Sequence, residues 1–419
     1  MQRTVTVTAD DFGLTKSATD AILVAVDRGF VNQVSVIANG YAADYALSAW
    51  STRAERLALS LHVNLTEGKA LAPSGSLRVI AREDGTFRYS SIGLLVRSCL
   101  PWGRRALRDD LLIECEAQLA FVRERVGSAP LSVDGHQHVH MVPMVRSVIE
   151  ELHARYPFRS VRIPYEPFFM PETGIGAYLG IGGVRHWGLN LLASTRRPLP
   201  HPDYFLGSLL SGAQTLPALM EGLGVVEGKR GLSVEIALHP GVSSSDEIEG
   251  WEGDRAWHTS PWRAREQALS TSAEFGNLIT RFRQGSLTAR YSNLGEVARF
   301  GIAGVIATLT NLGLLYAFTE FLGIWYLLSA ILSYAIATGV GFTLQKFWAF
   351  DSRSLKGVHA ELGIFLANNL LGVAFTVAGL FVLVEYAGLW YLLAQVITTA
   401  IIAVWNFFVY RIVFRKVSP

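Results

Sequence analysis

Between Phe300 and Gln345 the only formally charged side chain is Glu320, and between Leu362 and Tyr410 the only one is Glu385. Uncharged runs of this length far exceed the roughly 20 apolar residues that a helix needs to cross a bilayer. They divide into four candidate transmembrane helices, about 300–319, 325–345, 362–384 and 389–410, with breaks at Glu320–Gly323 and Glu385–Gly388 that turn them into two hairpins. The chain averages hide this: half of its 419 residues are hydrophobic and 17 % are charged, against about 25 % charged in a soluble domain. Residues 1–299 read like an ordinary mixed globular sequence. The expected organisation is therefore a soluble domain over 1–280, a basic linker over 281–299 and an all-α membrane domain over 300–416.

Basic residues orient the hairpins. Arg290 and Arg299 precede the first helix, Lys346, Arg353 and Lys356 lie between the second and third, and Arg411, Arg415 and Lys416 follow the fourth. Neither hairpin turn carries Lys or Arg, so the positive-inside rule places both termini and the soluble domain in the cytoplasm. The opening MQRTVTVTADDFG has no apolar core of a signal peptide, which points the same way. A net charge of +2 gives no reason to expect a nucleic-acid partner. Two cysteines, Cys99 and Cys115, exclude a disulfide framework and a cysteine-rich zinc site.

The membrane half contains an internal repeat. Gly323-Ile-Trp-Tyr-Leu-Leu matches Gly388-Leu-Trp-Tyr-Leu-Leu at an offset of 65, which also pairs Glu320 with Glu385 and Lys346 with Arg411. Each hairpin enters and leaves on one side, so the repeat is parallel. Trp325, Tyr326, Trp390 and Tyr391 suit interfacial anchoring. Arg299-Phe300-Gly301, Asn311-Leu312, and Gly341-Phe342 through Lys346-Phe347-Trp348-Ala349-Phe350 resemble the GtrA-like family of four-helix proteins over about 300–416. That family is implicated in moving polyprenyl-phosphate-linked sugars across bacterial membranes, so the resemblance implies a multi-pass protein of the bacterial inner membrane. Its pattern often has an asparagine near the end of the second helix; Gly341 stands there, and Asn406 holds the equivalent place in the second repeat. Four helices are few for a translocation path, so membrane lipids and further copies of the chain are expected partners.

In the first half, apolar β-rich runs at Thr4–Ala9, Val34–Ala38, Leu57–Val63, Leu131–Val133, Ser160–Ile163 and Leu232–Leu238 alternate with helical patterns near 17–29, 106–126, 143–155 and 263–280. The alternation predicts a parallel α/β fold. Asp10-Asp11, His62, Asp134 through His140, Arg162 and His239 all fall at or near the carboxyl ends of different strands. A (β/α) barrel gathers such ends at one mouth, whereas a doubly wound sheet concentrates its site at a single switch point; the dispersion favours a barrel-like domain. A carboxylate and imidazoles from separate strands suit a divalent metal, zinc or alternatively magnesium or manganese. Adjacent residues of a strand point to opposite faces, so Asp10 and Asp11 share a site only if the chain turns there.

The segments Thr8-Ala9-Asp10-Asp11-Phe12-Gly13-Leu14-Thr15, Leu61-His62-Val63-Asn64-Leu65-Thr66-Glu67-Gly68, Asp134-Gly135-His136-Gln137-His138-Val139-His140-Met141, Arg162-Ile163-Pro164 and Leu238-His239-Pro240-Gly241 resemble, in order, the motifs of YdjC-like carbohydrate deacetylases. The resemblance implies a metal-dependent amide hydrolase acting on an N-acetylated sugar. By motif position it implies Asp11, His62 and His136 as metal ligands, Asp10 as general base and His239 as general acid. Glu67, Arg162 and His138 are candidate substrate contacts; Arg162 equally suits pairing with Asp10, and His138 and His140 also suit either assisting the ligands from behind or filling their loop.

The fusion points to deacetylation of a polyprenyl-phosphate-linked sugar at the cytoplasmic membrane face, coupled to its binding or translocation. The alternatives are a membrane-anchored deacetylase of soluble chitooligosaccharide-like fragments and a transporter whose barrel only senses sugar. Two further stretches, Ile92–Trp102 and Phe168–Leu192, are unusually apolar. They read either as helices packed on the barrel or as interfacial segments, with Arg97, Arg104, Arg105, Arg196 and Arg197 suited to anionic headgroups.

Overall fold

The computed structural model describes residues 3–415 apart from 74, 170, 179, 195–198, 228–232, 288–291, 351, 353–357, 384–388 and 390. The chain forms two compact units, Met1–Arg290 and Tyr291–Pro419. Arg196, Arg197, Arg290, Arg353, Lys356, Glu385, Gly388, Trp390 and Lys416 lie outside the described residues.

Strands separated by crossover helices return to the same end of a sheet and can pair only in parallel. In the first unit the order is β1 (Thr4–Phe12), α1 (Lys16–Asp27), β2 (Gln33–Val36), α2 (Ala43–Ser51), β3 (Ala58–Val63), α3 (Ser91–Cys99), α4 (Arg104–Val126), β4 (Leu131–Gly135), α5 (Pro143–Arg155), α6 (Ile181–Ser194), β5 (Tyr204–Leu206), α7 (Leu216–Glu227), β6 (Ser233–Leu238), α8 (Arg255–His258), α9 (Pro261–Ser270) and α10 (Ala273–Gln284). The strands make one six-stranded parallel sheet in the order β4-β3-β2-β1-β6-β5. Val5, Val7, Val34, Leu59, Leu61, Val133, Val234 and Ile236 are all buried on one face of it, and strand alternation puts the polar Thr8, Ser35, Ser60, His62, Asp134 and Glu235 on the other.

This is a half-barrel rather than a complete ring of regular strands. Ser160–Ile163, expected as a strand, contributes a single bridge from Val161 to Val133. Its extended continuation touches both edges of the sheet, because Arg162 donates its N–H to Val133 O at 2.9 Å and Phe205 donates to Tyr165 O at 2.9 Å. β5, only three residues long, has too little pattern to be read from sequence. The helical pattern expected over 263–280 is two helices, broken where the Ser272 side chain accepts from Phe275 N–H and caps the second.

The second unit contains α11 (Ser292–Tyr316), α12 (Tyr326–Thr343), α13 (Val358–Phe381) and α14 (Tyr391–Arg415), with π turns at Ala317–Phe321 and Leu344–Ala349. Arg411 and Arg415 thus lie on the last helix and not in a tail beyond it. Among the described residues, Arg299–Phe321 is the one helix long and apolar enough to cross a membrane by length and composition; Ala400–Phe414 is a shorter apolar helix. Large apolar side chains such as Val305, Leu309, Ile331, Leu370 and Ile401 point outward, as they do from a lipid-facing surface.

The repeat reappears in packing. Phe300 meets Phe407 at a ring-centroid distance of 5.5 Å, and Phe342 meets Phe365 at 5.5 Å, with interplanar angles of 82° and 77°. An offset of 65 carries one pair onto the other, so the aromatic core of this unit has a pseudo-twofold axis.

Lys346, expected in a solvated loop, is instead fully buried, with its Nζ 2.5 Å from Glu361 Oε2. Removing one partner leaves an uncompensated buried charge, a loss of about 3–5 kcal/mol. Glu361→Ala is therefore expected to lower the thermal unfolding midpoint of the detergent-solubilised chain markedly, and Lys346→Met combined with Glu361→Leu to recover most of the loss.

Candidate metal centre and active site

The turn that Asp10 and Asp11 require is a bulge inside β1. Ala9 pairs with Val34 and Phe12 with Val36, so two β1 residues oppose Ser35 alone. Asp11 takes φ +64°, a left-handed conformation costly for a non-glycine residue. The only other described non-glycine residues with positive φ are Gln137 and His138, in the 3-10 turn His136–Met141 that follows β4. Gly135 opens that turn; a Cβ there would lie 2.8 Å from His140 Nδ1, so the close approach demands glycine.

These distortions bring three donors together. Asp11 Oδ1 lies 3.5 Å from His62 Nε2 and 3.2 Å from His136 Nδ1. Ligand atoms of the three buried residues are all within 4.8 Å of one another. Asp11 Oδ1 has no hydrogen-bond partner despite its burial, whereas Oδ2 accepts from Arg263 Nη1 at 2.6 Å. An unpartnered carboxylate oxygen facing two imidazoles is a donor set that fits a divalent cation. Two overlapping groups, Glu67–His136–His258 and Asp10–His62–Asp134, are equally close, but their carboxylates are taken up by protein donors.

Each candidate imidazole ligand is backed by a carboxylate. His62 Nδ1 lies 2.5 Å from Asp134 Oδ1, and Ser35 and Ser60 also donate to that carboxylate. The register directs this, because His62 and Asp134 are cross-strand neighbours on β3 and β4. His136 Nε2 lies 3.3 Å from Glu67 Oε1. Carboxylates behind imidazoles fix the ring and tautomer and raise ligand basicity. Glu67, expected to meet substrate, has both oxygens engaged: Oε1 accepts from Gln137 and Asp254, and Oε2 from Trp251 and His258.

Asp10 is held by the buried Arg162 through two bonds of 2.7 and 2.8 Å. Arg162 also reaches Glu235 at 2.8 Å and Asp134 at 3.1 Å, so its guanidinium joins strand ends rather than facing a ligand. His239 Nε2 is 3.8 Å from Asp10 Oδ2, and its Nδ1 is 3.5 Å from Glu266 Oε2. The His239 side chain keeps 14 % exposure where Asp10 keeps 4 %, placing the imidazole at the open edge. His140 donates Nε2–H to Arg162 O at 3.0 Å and fills the loop. His138 lies over the Phe205 ring edge and beside His140; burial holds it well below the usual imidazole range.

Six buried carboxylates around the site (Asp10, Asp11, Glu67, Asp134, Glu235 and Glu266) meet two buried guanidiniums, Arg162 and Arg263. This excess of negative charge shapes the imidazoles. Burial alone would lower their pKa values, but Asp134, Asp10 and Asp11 push His62 up to about 9, and Glu67 and Asp11 push His136 up to about 10. Burial would raise the Asp11 carboxyl, yet Arg263 and the two imidazoles hold it well below the usual range. Burial pushes Glu235 up despite Arg162. Sequence reasoning left Asp134, Glu235, His258, Arg263 and Glu266 without roles. Asp134 sits inside a motif that drew attention to its histidines. Glu235 lies within a strand whose end alone drew attention, and only folding brings α8 and α9, with His258, Arg263 and Glu266, to the mouth.

A parallel α/β half-barrel with one carboxylate and two imidazoles converging at its strand ends defines an α/β protein with a candidate divalent-metal centre. The YdjC-like protein family matches residues 4–281, and the GtrA/DPMS transmembrane domain matches residues 299–414. The chain belongs to the YdjC-like family and carries a GtrA-like domain that associates it with a membrane. A human protein named carbohydrate deacetylase is 36 % identical over 283 residues, covering 64 % of this chain and 84 % of its own. A chitooligosaccharide deacetylase of Escherichia fergusonii is 31 % identical over 149 residues, covering 36 % of this chain and 55 % of its own. A crystal structure from Enterococcus faecalis, of a proposed cellobiose-phosphate cleavage protein, shares the fold at a TM-score of 0.51 and 22 % identity, covering 70 % of this chain and 99 % of its own.

Protons on His62 and His136 compete with a cation for the same nitrogens. Below about pH 9, metal uptake is expected to release protons, and the apparent dissociation constant to fall about tenfold per pH unit for each proton displaced. Isothermal titration of the metal-free chain between pH 6 and 8, in buffers of different ionisation enthalpy, reads both quantities; a pH-independent affinity would exclude these imidazoles as ligands.

Proposed function

We propose that the chain is a metal-dependent carbohydrate deacetylase that removes acetate from an N-acetylated sugar carried on polyprenyl phosphate, at the cytoplasmic face of the bacterial inner membrane. The observation that carries the hydrolytic reading is the convergence of Asp11, His62 and His136 beside the Asp10–His239 pair. A divalent cation held by those three, zinc or magnesium, would polarise the acetamide carbonyl and make water acidic enough to attack near neutral pH. Asp10 is the group placed to take the water proton as oxygen bonds to the carbonyl carbon, and Arg162 holds its carboxylate in one orientation. His239, 3.5 Å from Glu266, is the group we assign to protonate the nitrogen as the C–N bond breaks and acetate leaves. Asp134 and Glu67 act behind the ligands, orienting His62 and His136.

The membrane half supports the lipid-linked reading in two ways. Four helices with apolar outer faces fit four spans with both termini inside, and self-association of such a small bundle would complete a path. A cavity of about 700 Å³ lies within this unit. Its walls follow the repeat unequally: Gly304 and Gly341 stand opposite their repeat mates Asn369 and Asn406. Both repeats also supply uncharged amides, Asn311 and Gln345 from the first and Asn369 and Asn406 from the second, and Gln345 Oε1 and Asn311 Oδ1 lack partners there. Neutral hydrogen-bonding groups in an apolar cavity suit a sugar headgroup. The name of the Escherichia fergusonii relative favours a second reading, in which soluble chitooligosaccharides are deacetylated and the helices only anchor.

Acetate release from an N-acetylated sugar is expected to stop with chelator and with Asp11→Ala, and Asp10→Asn to slow it by about 10²- to 10⁴-fold. Mass spectrometry of lipid-linked sugars from cells with parent or Asp11→Ala protein separates the two substrates: a shift by one acetyl group marks the lipid-linked one. Activity that survives chelation would overturn the metal mechanism.

A further inference from the structure

Two surface helices pack against the turn that carries His136, and both keep an apolar stripe in solvent. On α3, Ile92, Val96 and Cys99 recur at helical spacing and are exposed, while Leu94 and Ser98 face inward. On α6, Ile181, Val184 and Leu191 are exposed, Ile181 at 86 %. Between α3 and α4, Trp102 stands 66 % exposed on a corner braced by Arg97 donating to Trp102 O at 2.8 Å and Arg104 donating to Ser98 O at 2.7 Å. Arg104 and Arg105 are exposed immediately beyond it. Scattered exposed apolar residues are ordinary; aligned stripes on two helices beside a catalytic turn mark an interaction surface.

We propose that α3, α6 and the Trp102–Arg105 corner dock the mouth of the α/β unit on an anionic lipid surface. Three features select lipid as the occupant. The exposed arginines beside the stripe complement anionic headgroups. Trp102 has the amphipathic ring that settles at a bilayer interface. The same chain carries a transmembrane domain, which holds lipid at high local concentration. Docking would bring the carboxyl ends of the strands to the level at which a lipid-linked headgroup projects. The surface goes beyond the hydrolytic reading and does not require it.

Cys99 lies on the α3 stripe and Cys115 is buried, so the native thiol takes an environment-sensitive dye without engineering. The full chain, labelled at Cys99, is reconstituted in nanodiscs of phosphatidylcholine alone or mixed with phosphatidylglycerol, with shallow spin-labelled lipid as quencher. The expected result is blue-shifted emission and quenching several-fold stronger in the anionic discs. Combined Ile92→Ser, Val96→Ser and Trp102→Ser changes are expected to return the emission to that of water-exposed dye. Acetate release from a soluble N-acetylated sugar should stay at the parent level, showing that the variant folds. Emission indifferent to lipid quencher in both discs would overturn the proposal. A blue shift that lipid does not quench but that grows with protein density would also overturn it, assigning the face to a second copy. The fluorescence involves no catalysis, so it stands or falls separately from the deacetylase reading.

Discussion

Buried carboxylates without enough positive charge are the constraint on which the first unit turns. Burying an unpaired carboxylate is costly enough that proteins pair it, protonate it or give it a cation. Here Arg162 ties Asp10, Asp134 and Glu235 together, Arg263 takes one oxygen of Asp11, and His62 and His136 take up protons. An unpartnered carboxylate oxygen, Asp11 Oδ1, points at both imidazoles. The same charge imbalance makes this cluster one that could hold a cation. A left-handed residue near the end of a strand is tolerated for the same reason, since it is what turns Asp11 into this cluster.

In the second unit the corresponding constraint is the repeat. Equivalent phenylalanines from both halves interlock around one pseudo-twofold axis. Function would lie where the symmetry is broken, because two identical walls would leave either a packed core or a uniform one. Gly341 stands where the second repeat has Asn406, and Gly304 where it has Asn369, so the cavity walls differ at both equivalent positions. The buried Lys346–Glu361 pair also departs from the repeat, in which Arg411 answers Lys346.

Much of this was legible along the chain. Charge depletion marked the helical half, strand–helix alternation marked the α/β half, and unusual polar residues marked the strand ends. Asp10, Asp11, His62, His136 and His239 do meet at one mouth. Pairing with Asp10 was one of two roles the sequence offered Arg162, but its other carboxylates and the role of Glu67 were not legible, because a polar residue in a motif looks the same whether it faces a ligand or braces a neighbour. Glu67 is surrounded by Gln137, Trp251, Asp254 and His258, and Arg162 by three carboxylates. Lys346 misled for a related reason: its partner Glu361 lies fifteen residues away, with nothing local to announce the pair.

Sequence alone determined the two-part organisation, the parallel α/β class, the internal repeat and the polar residues at the strand ends, since each follows from local pattern and residue chemistry. Tertiary structure decided that the sheet is a six-stranded half-barrel, that a bulge at Asp11 aims its carboxylate at His62 and His136, and that distant Arg263, His258 and Glu266 complete the mouth. Those outcomes depend on register and on crossover geometry, which bring together groups up to 252 residues apart. No local window contains both partners of such a contact, so its energy is expressed only when the chain is folded.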